Sequence, residues 1–137
     1  MKGEEVIRQT KELGLPSDEF TIVGSGSLAV RGIREAKDID LLITKDFYDK
    51  LKAEGWKEEH FPKSKREWVL SSGPFDAATT WSVNDYEPEP QQLIRDSDVI
   101  EGIRLVNLKD LLTWKNACRR EKDLRDIKLI EEYLKNK

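Results

Sequence analysis

The segment Asp38-Ile39-Asp40-Leu41-Leu42-Ile43-Thr44 constrains this chain more than any other. It reads as a β-strand whose head carries two carboxylates. Side chains alternate faces along a strand, so Asp38 and Asp40 share one face about 7 Å apart at Cα, while Ile39 and Leu41 project from the other into a core. Two carboxylates so placed repel each other unless a cation sits between them. Hard divalent cations such as Mg²⁺ take oxygen ligands and suit the pair. A solvated acidic strand edge has the same spacing, since acidic pairs are common on surfaces. Against that plainer reading stands the strongly apolar run Leu41-Leu42-Ile43 that follows.

The flanks add to the pair. Phe20-Thr21-Ile22-Val23 predicts a strand ending at Gly24, and a doubled Gly-Ser turn follows, Gly24-Ser25 and Gly26-Ser27. Glycine lets a backbone approach a phosphate closely, amides at a helix start point at an anion, and a Ser hydroxyl adds a donor. Residues 27–33 are expected to form a short helix. Arg31, Arg34 and Lys37 lie between the turn and the acids, where they can neutralise phosphate charge. Further on, Asp76 is a single acid in the apolar run Phe75-Asp76-Ala77, though a turn residue after Gly73-Pro74 has the same look.

The remaining elements follow from periodicity and punctuation. Residues 2–13 predict an amphipathic helix, and residues 45–54 another that Gly55 stops. Residues 67–70 and 75–81 predict strands joined by a tight turn at 71–74. A helical turn is expected at 91–95 and a strand at 103–106. Asn107 caps a helix that runs to about Arg119. Lys122 opens a last helix with Leu124, Ile127, Ile130 and Leu134 on its packed face. This order describes an α+β fold: a mixed β-sheet with helices packed on it and two C-terminal helices. A length of 137 residues suits one domain over 1–137, its core at about 18–106 and a helical segment at about 107–137.

Gly26-Ser27, ten residues, then Asp38-Ile39-Asp40 resembles the signature of the polymerase-β-like nucleotidyltransferase superfamily. In that family the Asp-x-Asp lies in an apolar strand and a third carboxylate comes from a later strand; Asp76 matches it. Leu111-Leu112-Thr113-Trp114-Lys115 and the stretch from Arg119-Arg120 to Asp126 resemble the helical segment after the core in small bacterial and archaeal members. The likeness runs from Ile22 to Leu134. It implies a nucleotidyltransferase fold and transfer of a nucleoside monophosphate from an NTP to a hydroxyl acceptor. It further implies Asp38, Asp40 and Asp76 as catalytic residues and ligands of one or two Mg²⁺. Gly24, Ser25, Gly26 and Ser27, with Arg34 and Lys115, would bind the nucleotide. Many members carry Arg directly after Gly-Ser; Leu28 stands there in this chain, and Arg31 or Arg34 are the available substitutes. The same resemblance implies an alternative: a catalytically silent nucleotide-binding module, or one subunit of a two-component, toxin–antitoxin-like system with a small helical partner.

Other patterns compete for the same residues. Gly24-Ser25-Gly26-Ser27-Leu28-Ala29 also fits the dinucleotide fingerprint, and Asp46 falls twenty residues after Gly26. That fold needs repeated βαβ units, whereas this chain turns to hairpin-like strands after residue 55, and Gly32 would interrupt the required helix. The lone His60 rules out a histidine-rich zinc site and reads as a surface residue. The lone Cys118 has no disulfide partner and reads as a packed small side chain. Trp56, Trp68, Trp81 and Trp114 follow no fixed spacing and read as core or rim residues rather than a base-stacking platform. Lys115 shares a helix face with Leu111 and Leu112, so it either snorkels or meets a phosphate. Asp123 and Asp126 read as helix N-terminal acids.

Net charge enters as an exclusion. At −3 the chain lacks the basic excess of a sequence-independent nucleic-acid binder. The expected partners are a nucleotide and an unidentified hydroxyl acceptor. No apolar stretch approaches the ~20 residues that cross a bilayer. No secretory pattern opens the sequence, so a cytoplasmic location is expected.

Overall fold

The computed structural model describes residues 1–137. The chain runs from α1 (Gly3–Glu12) through a 3-10 turn (Ser17–Glu19) to β1 (Phe20–Val23), α2 (Ser25–Val30), β2 (Ile39–Ile43) and α3 (Lys45–Ala53). It continues through β3 (Lys57–His60), β4 (Trp68–Ser72), β5 (Phe75–Ala78), α4 (Pro90–Arg95), β6 (Asp98–Ile100) and β7 (Ile103–Leu105). The last elements are α5 (Leu108–Cys118) and α6 (Glu121–Lys135). The seven strands form one mixed sheet in the order β3-β4-β5-β2-β1-β7-β6. The central strand β2 runs antiparallel to β1 and parallel to β5.

The apolar alternation of β2 explains why it is central. Ile39, Leu41 and Ile43 join one core with Val6 of α1 and Phe47 and Leu51 of α3. Leu42 joins a second core on the opposite face, with Leu93 of α4, Leu111 of α5 and Ile130 of α6. Each fully buried Leu or Ile contributes about 1.5–3 kcal/mol, so a strand apolar on both faces belongs in the middle. Asp40 falls on the second face, together with Leu42. Side-chain caps set two helix starts: Thr44 accepts from the Phe47 amide at the head of α3, and Asn107 from the Asp110 amide at the head of α5.

The structure departs from the sequence reading in four places. β3 and β6 were not expected. They are the two outermost strands, and Lys57-Glu58-Glu59-His60 carries charge instead of alternating apolar residues, which suits an exposed edge. β5 ends at Ala78, so Trp81 lies beyond it, although it is buried. α2 begins at Ser25 rather than residue 27 and ends at Val30. In α6 the packed face is carried by Asp123, Asp126 and Ile130, whereas Leu124 and Leu134 are 43% and 44% exposed. Cations from two other parts of the chain seat those two acids and turn the helix away from its apolar stripe. No helix is long and apolar enough to cross a membrane.

Candidate active site

The sheet register places Asp40 of β2 directly beside Asp76 of β5. Paired residues on neighbouring strands point to the same face, about 4.8 Å apart. Asp38 lies just ahead of β2, exposed, and its carbonyl accepts from Ser25 Oγ at 3.3 Å. Gly24 ends β1 at φ +66°, and a Cβ on it would stand 3.2 Å from Asp40 Oδ2. Both the left-handed backbone and the close approach therefore require glycine. Gly24, Ser25, Asp38 and Asp40 line one open cleft of about 1010 Å³, whose other side is built from α5 and α6.

Asp40 and the adjoining Asp76 are short of positive charge. Burial pushes the Asp40 carboxyl above its ordinary range, and Asp76 and Asp38 add repulsion against the opposing pull of Arg66 and Lys122. Burial likewise pushes Asp76 up, opposed by Arg66 and reinforced by Asp38 and Glu59. Arg66 Nη1 stands 3.7 Å from Asp40 Oδ1, too far for a hydrogen bond, and its Nη2 is buried without any partner. No three carboxylate, imidazole or thiol groups converge into a ready-made metal cage. Mg²⁺ does not need one, because it keeps several waters and binds through one or two carboxylates plus substrate phosphates. Two adjacent, under-compensated carboxylates fit that demand.

The doubled Gly-Ser turn divides its labour. Gly26 is buried, and a Cβ there would meet Ile22 Cγ2 at 2.9 Å, so this glycine serves helix–sheet packing. Ser27 is fully buried and donates to the Gly24 carbonyl at 2.6 Å. Of the two pairs, Gly24-Ser25 lines the cleft and Gly26-Ser27 is packed inside. Leu28, which follows the second Gly-Ser pair, is a core residue.

The two expected phosphate cations line the cleft but are held in ion pairs there. Arg34 forks onto Asp126, with Nε to Oδ1 at 2.7 Å and Nη2 to Oδ2 at 2.9 Å. Lys115 is buried and sits between Asp126 at 2.9 Å and Asp123 at 3.4 Å. It neither snorkels nor offers a free ammonium to a phosphate. Arg31 is held by Asp98 and by the Ser27 and Val106 carbonyls. Helix capping accounts for one role of Asp123, whose Oδ2 accepts the Arg120 amide at 3.0 Å, but Asp126 is a buried ion-pair partner.

Sequence reasoning missed Arg66, the one arginine between Arg34 and Arg95; that isolation inside the Lys63-Ser64-Lys65-Arg66-Glu67 loop was its only signal. Trp81 and Trp114 stack at 5.2 Å, 33 residues apart, and form the wall of the cleft. His60 is exposed and stacks on Trp68 at the sheet edge, away from the acids.

No protein-family model matches this chain, and no curated protein matches its sequence. Among solved structures, it is similar to the crystal structure of the nucleotidyltransferase ANT(2")-Ia in complex with adenylyl-2"-tobramycin. The two share 16% identity and superpose with a TM-score of 0.52, over 96% of this chain and 86% of that chain. The fold of this chain is accordingly the nucleotidyltransferase fold, α+β with a mixed sheet.

Proposed function

We propose that this chain is a Mg²⁺-dependent nucleotidyltransferase that moves a nucleoside monophosphate from an NTP to a hydroxyl acceptor. The observation that carries the proposal is the register pairing of Asp40 with Asp76, half-buried, under-compensated and abutting the Gly24 turn. When bound, Mg²⁺ supplies charge stabilisation for the attacking and leaving oxygens of an in-line displacement. Asp40 and Asp76 would hold the cation, and Asp38, which also lines the cleft, would extend the same donor set. The backbone of Gly24-Ser25 leaves room for phosphate oxygens beside Asp40. Asp76, with a carboxyl that burial pushes up, takes the acceptor hydroxyl's proton on a carboxylate oxygen. The new bond joins the acceptor oxygen to the α-phosphorus, and the bond to pyrophosphate breaks. The likeness in fold to ANT(2")-Ia, whose complex holds an adenylyl conjugate, is in keeping with this reading.

Incubation of the protein with α-labelled and γ-labelled NTPs and cell extract tests the reaction. The α label should move to an acceptor and the γ label should not. Asp40→Asn should reduce transfer by about 10²-fold or more, the scale for removing a transition-state electrostatic contact. Movement of the γ label instead, or undiminished transfer by Asp40→Asn, contradicts the assignment.

A further inference from the structure

Arg66 sits on a loop that is tied down on every side. Lys65 Nζ donates to the Asn84 carbonyl and pairs with Glu87 at 3.0 Å. Thr80 Oγ1 donates to the Lys65 carbonyl at 3.2 Å, and Ser64 Oγ accepts the Arg66 amide at 3.0 Å. The Phe61 amide donates to the Glu67 carbonyl at 2.7 Å, closing the loop's neck. From this anchored backbone the Arg66 side chain enters the cleft beside Asp40.

Its guanidinium is placed there but not mated. An arginine normally forks onto a carboxylate with two parallel N–H donors, as Arg34 does on Asp126. Arg66 instead makes one long Coulomb contact of 3.7 Å and buries Nη2 with no acceptor. A buried donor without an acceptor marks a missing partner. The acids already in reach do not supply that acceptor; an oxygen-rich anion in the cleft that Arg66 lines would supply it once the side chain turns.

We propose that Arg66 is a relocating counter-ion. It screens Asp40 and Asp76 while no metal is present, and it turns its unpartnered N–H groups onto the phosphate oxygens that arrive with the cation. This rests on the reading of the cleft as a metal–nucleotide site. Without phosphate the guanidinium competes with a divalent cation for Asp40; with phosphate the competitor becomes a ligand. Cation and triphosphate are thereby loaded as a pair, and a free cation alone is held poorly.

The test uses the full chain and two probes independent of the nucleotide base: Mn²⁺ alone, followed by electron paramagnetic resonance, and Mg²⁺-tripolyphosphate, followed by calorimetry. Arg66→Ala should bind Mn²⁺ about threefold or more tighter, because a repelling unit charge is gone. The same variant should bind Mg²⁺-tripolyphosphate about tenfold or more weaker, the scale of one lost charge-assisted contact. Arg66→Lys should return Mn²⁺ affinity to the wild-type value but recover only part of the tripolyphosphate affinity. Arg66→Gln should reproduce the signs of Arg66→Ala if the smaller side chain lowers the unfolding temperature. Both affinities moving together, or neither moving, in a variant that unfolds at the wild-type temperature overturns the proposal for Arg66 alone. Wild-type protein that binds neither probe, or Asp40→Asn that binds Mn²⁺ as the wild type does, overturns the site reading and the Arg66 assignment with it.

Discussion

Two pairs of carboxylates, Asp123 with Asp126 and Asp40 with the adjoining Asp76, lie at one cleft, which Asp76 alone of the four does not line, and they are treated in opposite ways. Asp123 and Asp126 of α6 are almost fully buried, and three cations meet them: Lys115, Arg34 and Arg120, at 2.7 to 3.4 Å. Burial pushes the Asp123 carboxyl up, yet the Arg120 side chain and amide, Cys118 and Lys115 outweigh it and hold the group at about 2. Asp126 is also held below its ordinary range, its burial outweighed by hydrogen bonds from Arg34 and Lys115. Asp40 and Asp76 are both pushed up by burial, which the loosely held Arg66, joined for Asp40 by Lys122, does not offset. Desolvation acts the same way on both pairs; the partners decide the sign. The satisfied pair fastens α6 to α5 and to the segment before β2. The starved pair has the charge deficit that a bound cation would fill.

Breaking the satisfied pair should have the largest effect. Asp126→Ala leaves the buried Lys115 with only the 3.4 Å contact to Asp123 and strips the half-buried Arg34 of its acid, and urea unfolding should show a loss of about 3 kcal/mol. A loss below about 1 kcal/mol would mean that the network is not structural and that the contrast between the pairs is false. Asp40→Asn, by comparison, removes a charge that the fold disfavours. It should leave stability within about 1 kcal/mol of wild type at pH 7, with any change towards greater stability.

Acid titration sharpens the same contrast through its sign. Carboxyls held below their unfolded value contribute stability that is present above the unfolded pKa of about 3.9 and lost as pH falls through the folded value. For Asp123 that loss should extend down to about pH 2. Carboxyls held above the unfolded value do the reverse: their contribution is present in acid and lost as pH rises through the folded pKa. The stability gap between wild type and Asp126→Asn should therefore shrink as pH falls from about 4 towards 2. Asp40→Asn should instead gain on wild type as pH rises above about 4. Thermal unfolding of the three proteins over that range reads both slopes, and parallel slopes would erase the distinction.

The smallest effect belongs to α6's exposed stripe. Leu124→Gln should change unfolding free energy by no more than about 0.5 kcal/mol, as for an ordinary surface site. A cost of about 2 kcal/mol or more would place Leu124 in a core after all.

The legibility of these features in the sequence follows the range of the interactions that make them. The Asp38–Asp40 spacing is local, and a strand period of two is enough to assign Asp40 a face opposite Ile39 and Leu41, whereas Asp38 lies just ahead of β2. Asp76 stood out because an acid inside Phe75-Asp76-Ala77 breaks an apolar run. The two Gly-Ser pairs are identical in local sequence, and the packing of Ile22 and Ile39 around Gly26, with the positive φ of Gly24, tells them apart. The face of Lys115 followed from its helix, but its partner Asp126 also answers Arg34, 92 residues away, and no periodicity encodes that meeting. Arg66 reaches Asp40 from a loop whose position depends on Lys65, Thr80 and Asn84 together. β3 and β6 stayed hidden because edge strands bury little and so carry no alternating apolar signal.

Crystals grown with Mn²⁺ and a non-hydrolysable NTP put the starved pair to the most direct trial, since anomalous scattering locates the ion without reference to activity. The anomalous peak should lie between Asp40 and Asp76, within about 2.0–2.3 Å of an oxygen from at least one of them. Nucleotide density in the cleft with no peak between these two carboxylates, or a peak seated instead on Asp123 and Asp126, would contradict the assignment of the cation to β2 and β5.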